Sequence, residues 1–244
     1  MTISFDRVAD IYDRTRSLPS EVMTRLVETL TNELSDCKTI LDVGVGTGRF
    51  SKPLQDAGFE VVGVDVANKM IGKAKEKGVK NLLLSEACSL PFRDNGFDAA
   101  MCIHILHLIS GWKRALFETC RVTRGSMVSL SYACKDPVRA AYDDLLKKYG
   151  YEGHRLGRSE QDLRELVSPA KSVFVCSYDT SSADRLTNLA QGAFSSQWQM
   201  PENLNRKVVE ELRSQFAGRV FTQQLYVLMW KIDDLKVFCE RNGL

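Results

Sequence analysis

Between residues 39 and 133, short apolar runs alternate with stretches of helical spacing, and no other feature of the chain restricts its fold as strongly. The runs TILDVGV (39–45), EVVGVDV (60–66), NLLLSEA (81–87), FDAAMCIHI (97–105) and SMVSLSYA (126–133) read as buried strands. Residues 49–57, 68–77 and 111–122 between them predict helices, the first stopped by Gly58. Strands joined by helices of about ten residues pair in parallel through right-handed crossovers. The expected class is therefore α/β with a doubly wound, mostly parallel sheet, and ligands belong beyond the carboxyl ends of its strands.

The flanks extend this core. Phe5, Val8, Ile11 and Tyr12 recur at helical spacing, and Leu26, Leu30 and Leu34 continue it beyond Pro19. Residues 136–150 and 159–167 predict helices, and 184–216 predicts two helical pieces broken at Pro201. Residues 172–178 and 219–231 have strand character, which brings the expected sheet to seven strands; 233–241 predicts a terminal helix. A chain of 244 residues suits one domain with a cap better than two full domains. The core is expected at about 37–133 with 171–181 and 219–233, and a helical cap from 1–30, 135–168 and 183–217.

A net charge of +2, from 33 basic and 31 acidic side chains, gives no general pull towards nucleic acid or anionic membrane. No apolar run reaches the roughly 20 residues that span a bilayer, and MTISFDRVADIYDR lacks a signal-peptide core, so a cytoplasmic protein is expected. The seven cysteines form no C-x-x-C pair and read as reduced thiols; no metal site is expected.

The segment ILDVGVGTGRF (40–50) places a glycine turn between a buried strand and a helix, the context of a nucleotide site. Gly44, Gly46 and Gly48 follow G-x-G-x-G spacing, whereas a dinucleotide fold prefers G-x-G-x-x-G with the pyrophosphate on the helix N-terminus. Asp42, two residues before the first glycine, would repel a pyrophosphate and suits a ligand with an ammonium group. Asp65 closes the second strand, where an acid accepts hydrogen bonds from ribose hydroxyls in either cofactor class.

Taken together, ILDVGVGTGRF, VVGVDVANKM, SEACSLPFRDNGFD and a strand ending ILHLI resemble the class I S-adenosylmethionine-dependent methyltransferases, in the type 11 subgroup similar to ubiquinone and menaquinone methyltransferases. The opening FDRVADIYDRTRSLP is similar to the segment that closes over the cofactor in that family, and residues 192–213 resemble its cap. The resemblance implies a Rossmann-like methyltransferase fold, S-adenosylmethionine as cofactor with S-adenosylhomocysteine as product, and a small-molecule methyl acceptor. It also implies roles. Gly44, Gly46 and Gly48 would approach the methionine half, Asp42 its amino group, and Tyr12 its carboxylate. Asp65 would hold the ribose, and Val66 and Met70 would face the adenine, whose amino group would meet Glu86 beside Ala87. Cys102, Ile103 and His104 would pass the sulfonium. The family's Pro-Gly-Gly before the fifth strand is missing, which implies a shorter turn, and the strict quinone-methyltransferase signature is absent, so a quinone acceptor is not supported.

Methyl transfer from a sulfonium is an in-line displacement, which orientation alone accelerates strongly, and a base is needed only if the acceptor must lose a proton. His104, His107 and His154 are candidates for that base, although a structural role outweighs catalysis at each. Phe194, Trp198, Tyr142 and Tyr151 are candidate walls of the acceptor pocket. Two rival readings stay open. One is an RNA-modifying methyltransferase, for which HRLGR (154–158) with Lys147 and Lys148 would be the basic patch; the near-neutral charge and the missing Asn-Pro-Pro-Tyr sequence argue against nucleic acid. The other is a cofactor-binding module without turnover. A nicotinamide dehydrogenase ranks below both because of Asp42 and the glycine spacing. Neither the acceptor atom nor an oligomeric state has a sequence signature here.

Overall fold

The computed structural model describes residues 2–152 and 156–244. Its parallel core is β1 (Thr39–Val43), α3 (Ser51–Asp56), β2 (Glu60–Asp65), α4 (Asn68–Glu76), β3 (Asn81–Leu84), β4 (Phe97–Cys102), α5 (Trp112–Val122) and β5 (Thr123–Tyr132). Ahead of it lie α1 (Ala9–Arg16) and α2 (Ser20–Glu33); behind it lie α6 (Pro137–Lys148), α7 (Glu160–Leu166), β6 (Lys171–Ser181), α8 (Ser182–Ala190), α9 (Glu202–Phe216), β7 (Val220–Lys231) and α10 (Ile232–Arg241). The sheet has seven strands in the order β3-β2-β1-β4-β5-β7-β6. β1 to β5 pair in parallel, and β7 runs antiparallel between β5 and β6. The strand order reverses between β1 and β4, so a crevice opens at their carboxyl ends.

Burial on both faces explains why these strands read as apolar runs. Ile40 and Leu41 are adjacent in β1, point to opposite faces, and are both fully buried. Leu41 joins Cys102, Leu116 and Trp230 on one side, whereas Ile40 joins Leu54, Met101 and Val128 on the other.

Two parts of the expected cap belong to the core instead. α2 lays Val22, Leu26 and Leu30 on the Ile40 face, because its apolar side chains recur at intervals of four. α7 buries Leu163 in the Leu41 face. The cap proper is α6, α8 and α9 around Val138, Tyr142, Leu189, Val208 and Leu212. The break expected at Pro201 is the N-cap of α9. β5 starts at Thr123, directly after α5, three residues ahead of the expected start; with no Pro-Gly-Gly the helix runs straight into the strand.

Candidate functional site

The glycine loop leaves β1 with Gly44, Gly46 and Gly48 at φ of 78°, 56° and 73°. L side chains avoid that region. A Cβ on Gly48 would also stand 2.6 Å from Val79 Cγ2 and 3.2 Å from Ala74 Cβ, so this glycine serves the packing of the loop on α4. A Cβ on Gly46 would meet little besides Met70 Cε at 3.6 Å, so this part of the loop faces open space. Asp65 fixes the loop: its Oδ2 accepts from the Gly46 amide and its Oδ1 from the Ala67 amide, each at 2.9 Å. Each oxygen keeps a second lone pair for a ligand hydroxyl. Burial raises the Asp65 carboxyl above its ordinary range, opposed by those amides.

Asp42 lies beneath the loop rather than on the cavity wall. It accepts from Ser51 Oγ at 2.6 Å, and burial pushes its carboxyl up to about 6 despite that bond. In the unfolded chain this group ionises near 3.8. The folded protein therefore holds the proton longer, and ionising Asp42 costs stability as pH rises from about 4 to 6, by about 3 kcal/mol in all. Asp42→Asn keeps an acceptor for Ser51 and should flatten that part of the stability–pH curve, measured by urea unfolding from pH 4 to 7.

The N-terminal segment roofs the loop. Thr47 Oγ1 donates to Asp13 of α1 at 2.5 Å, and Lys77 pairs with the same carboxylate. Asp6 accepts from the Lys69 amide at 2.7 Å, and Asp10 pairs with Lys73 at 3.1 Å, so α1 is tied along α4. Phe5 and Tyr12 pack edge to face over Ala67 and Met70.

At the tip of β4, His104 takes φ of 59°, a costly conformation for a residue with a side chain. The next two amides explain how it is held. Ile105 and Leu106 donate to Glu160 Oε1 at 2.7 and 2.9 Å, from a side chain buried at the start of α7. Gly157 lies against the same turn, where a Cβ would stand 2.3 Å from Leu106 O and 2.4 Å from Ile109 O. His104 is accessible from the open cavity; the protein around it, with the charges of Arg49, His107 and Arg16, lowers its imidazole below the ordinary range. Its ring lies parallel to Tyr132 with centroids 6.4 Å apart.

Loop, roof, β4 tip and cap enclose a cavity of about 950 Å³, at the upper end of ordinary ligand pockets. Of the expected cofactor residues, Tyr12, Gly44, Gly46, Asp65, Val66, Met70, Ala87, Ile103 and His104 line it. Asp42, Gly48, Glu86 and Cys102 do not: Glu86 is exposed and accepts from Thr2 Oγ1 at 2.8 Å, and Cys102 faces the core. His107 lines the cavity, whereas His154 falls outside the described residues. Phe194 is a wall; Tyr142 and Tyr151 belong to the cap core, and Trp198 packs on Phe5. Sequence reasoning missed Arg16, Arg139, Arg185, Tyr132, Tyr178 and Glu160, whose spacing matches no local pattern.

Known proteins bear on this geometry. The family described as a methyltransferase domain matches residues 41–126. The match covers about a third of the chain. That stretch holds the glycine loop, Asp65 and the β4 tip. The domain is similar to the demethylmenaquinone methyltransferase of Renibacterium salmoninarum, 34% identical over 153 residues, covering 59% of this chain and 64% of that one. It is also similar to the methyltransferase YcgJ of Bacillus subtilis, 34% identical over 124 residues, covering 47% of this chain and 49% of the relative. The chain thus spans less than two thirds of the length of these relatives. The crystal structure of YcgJ shares the fold, with a TM-score of 0.55 at 20% identity, covering 86% of this chain and 97% of that one. So does an Anabaena variabilis protein described as a putative methyltransferase from an antibiotic biosynthesis pathway, with a TM-score of 0.58 at 18% identity, covering 84% and 96%. The seven-stranded Rossmann-like sheet is thus a fold shared with these solved structures.

Proposed function

We propose that the protein binds S-adenosylmethionine in the crevice at β1 and β4 and transfers its methyl group to a small molecule held under the cap. The observation that carries this reading is the cavity itself, whose lining runs from Asp65 and the glycine loop to residues of α6 and α8. The donor set fits the cofactor: Asp65 stands at the cavity as an acceptor for ribose hydroxyls, and Val66, Met70 and Ala87 offer apolar surface to a purine. When bound, the cofactor supplies an electrophilic methyl on a sulfonium. Held at Asp65 and the glycine loop, it would give up that methyl to a nucleophilic atom of the acceptor and keep the S–CH₃ bonding pair on sulfur.

The chain's own part is positioning. The loop and Asp65 fix one reactant, the cap fixes the other, and the roof of α1 excludes water. His104, held by the turn that Glu160 clamps, lines the cavity. A lowered imidazole is a weaker general base, so its expected role is a hydrogen bond that orients the acceptor. His104→Gln should lower the level of the pH–rate profile and leave its shape between pH 5 and 9 unchanged. Loss of an acid limb in that variant would assign His104 the base role.

The RNA reading draws less support. Lys147 and Lys148 face Asp144 and Glu211 at 4.0 and 3.6 Å, which leaves no strong basic surface there. Part of HRLGR lies outside the described residues. No helix among the described residues is long and apolar enough to cross a membrane. Transfer of a labelled methyl group from the cofactor to a member of a small-molecule panel, and not to bulk tRNA, tests the proposal.

A further inference from the structure

Four half-buried guanidiniums converge on the cavity: Arg16 from α1, Arg49 from the glycine loop, Arg139 from α6 and Arg185 from α8. Two of them are answered by acids. Arg139 Nε donates to Asp143 at 3.0 Å, and Arg185 pairs with Asp136 at 2.8 Å. Among the described residues the other two form no ion pair with a carboxylate, although Asp42 beneath the loop feels the charge of Arg49. Arg16 donates to the Ala193 carbonyl at 3.1 Å and lies 4.0 Å above the Phe194 ring. Arg49 donates to the Arg16 carbonyl and lies 4.4 Å above Phe50, and its buried Nε has no hydrogen-bond partner among the described residues.

Burial pulls the Arg16 guanidinium down to about 10, opposed by Tyr12 and aided by repulsion from Arg49, Arg139 and Arg185. The remaining acids of the cavity do not change this balance. Asp65 is occupied on the opposite side by loop amides, and Asp179 and Asp184 are exposed to solvent. A half-buried guanidinium without a counter-charge is unfavourable, and its fork matches a carboxylate or phosphate.

The cofactor does not remove the excess. It carries one carboxylate against an ammonium and a sulfonium, so its binding answers at most one of the two arginines and adds positive charge. We propose that the methyl acceptor bears an anionic group, a carboxylate or a phosphate, held by whichever of Arg16 and Arg49 the cofactor carboxylate leaves unanswered. This rests on the cofactor reading above. The aromatic walls Phe194, Tyr132 and Tyr178 indicate a mainly apolar body for that acceptor.

Calorimetric titration of the protein saturated with S-adenosylhomocysteine decides the matter, with benzoate, phenyl phosphate and benzamide as probes of one shape and different charge. At least one anion should bind about tenfold or more tighter than benzamide, as a charge-assisted contact implies. Arg49→Gln and Arg16→Gln are each measured first for homocysteine-product affinity. At least one should abolish the anion advantage, which Arg49→Lys should partly restore; Arg139→Gln, whose charge Asp143 answers, should retain the advantage. Benzamide binding as tightly as both anions, or none of the three binding, overturns the proposal. If the demethylated product does not bind at all, the cofactor reading fails instead, and the same titrations on the protein alone still decide the charge preference.

Discussion

Asp65→Ala should weaken S-adenosylhomocysteine binding by about tenfold or more and destabilise the protein by about 2–4 kcal/mol. The two effects share one cause. In the folded chain each carboxylate oxygen of Asp65 receives a backbone amide, one from the glycine loop and one from the turn into α4. Alanine leaves both amides without an acceptor and frees Gly46 to move. It also removes the oxygens available to the ribose. Asp65→Asn discriminates, because its amide oxygen satisfies one backbone donor while its NH₂ opposes the other; it should fall between wild type and alanine in both measurements. Calorimetric affinity together with urea unfolding checks this, and unchanged affinity in the alanine variant would remove Asp65 from the site.

The second large effect is expected away from the glycine loop. Gly157→Ala places a methyl group 2.3 Å from Leu106 O and 2.4 Å from Ile109 O, both backbone atoms, with Trp112 Cβ at 3.0 Å. Neither carbonyl can rotate aside as a side-chain end would. Either the turn after β4 shifts or the segment leading to α7 withdraws, at a cost of about 1–3 kcal/mol or more. Withdrawal would also carry Glu160 away from the Ile105 and Leu106 amides. The expected result is a melting temperature several degrees lower and methyl transfer reduced about tenfold or more, because His104 loses its support while the cofactor loop is untouched. Product affinity near that of wild type, alongside the lost turnover, would separate this effect from general unfolding. Wild-type turnover in the variant would show that the β4 tip needs no such clamp.

The parallel core was legible because its signals are local. A strand buried on both faces, as Ile40 and Leu41 show, must be apolar throughout, and a loop that needs three positive φ angles must be glycine-rich. Asp65 was legible for the same reason, since its position relative to that loop is fixed by one βαβ unit. The place of α2 was not. Its amphipathic face says that it packs on something apolar, and nothing local distinguishes a sheet from a cap. Asp42 shows a different limit: the spacing put an acid at the right strand end, but the Ser51 hydroxyl that draws it under the loop comes from the following helix. Arg16, Arg139 and Arg185 reach the cavity from α1, α6 and α8, and Glu160 reaches the turn behind it from α7, so only the three-dimensional fold joins them. Gly157 looked like a residue of a basic loop, and its packing against two carbonyls depends on a turn some fifty positions away.

Everything proposed for the chemistry depends on which cofactor the glycine loop accepts. Titrating the full chain with S-adenosylhomocysteine and, separately, with NADH addresses that choice directly. Saturable one-to-one heat with the nucleoside product and none with the dinucleotide is the predicted result; heat with NADH and none with S-adenosylhomocysteine or S-adenosylmethionine would contradict it.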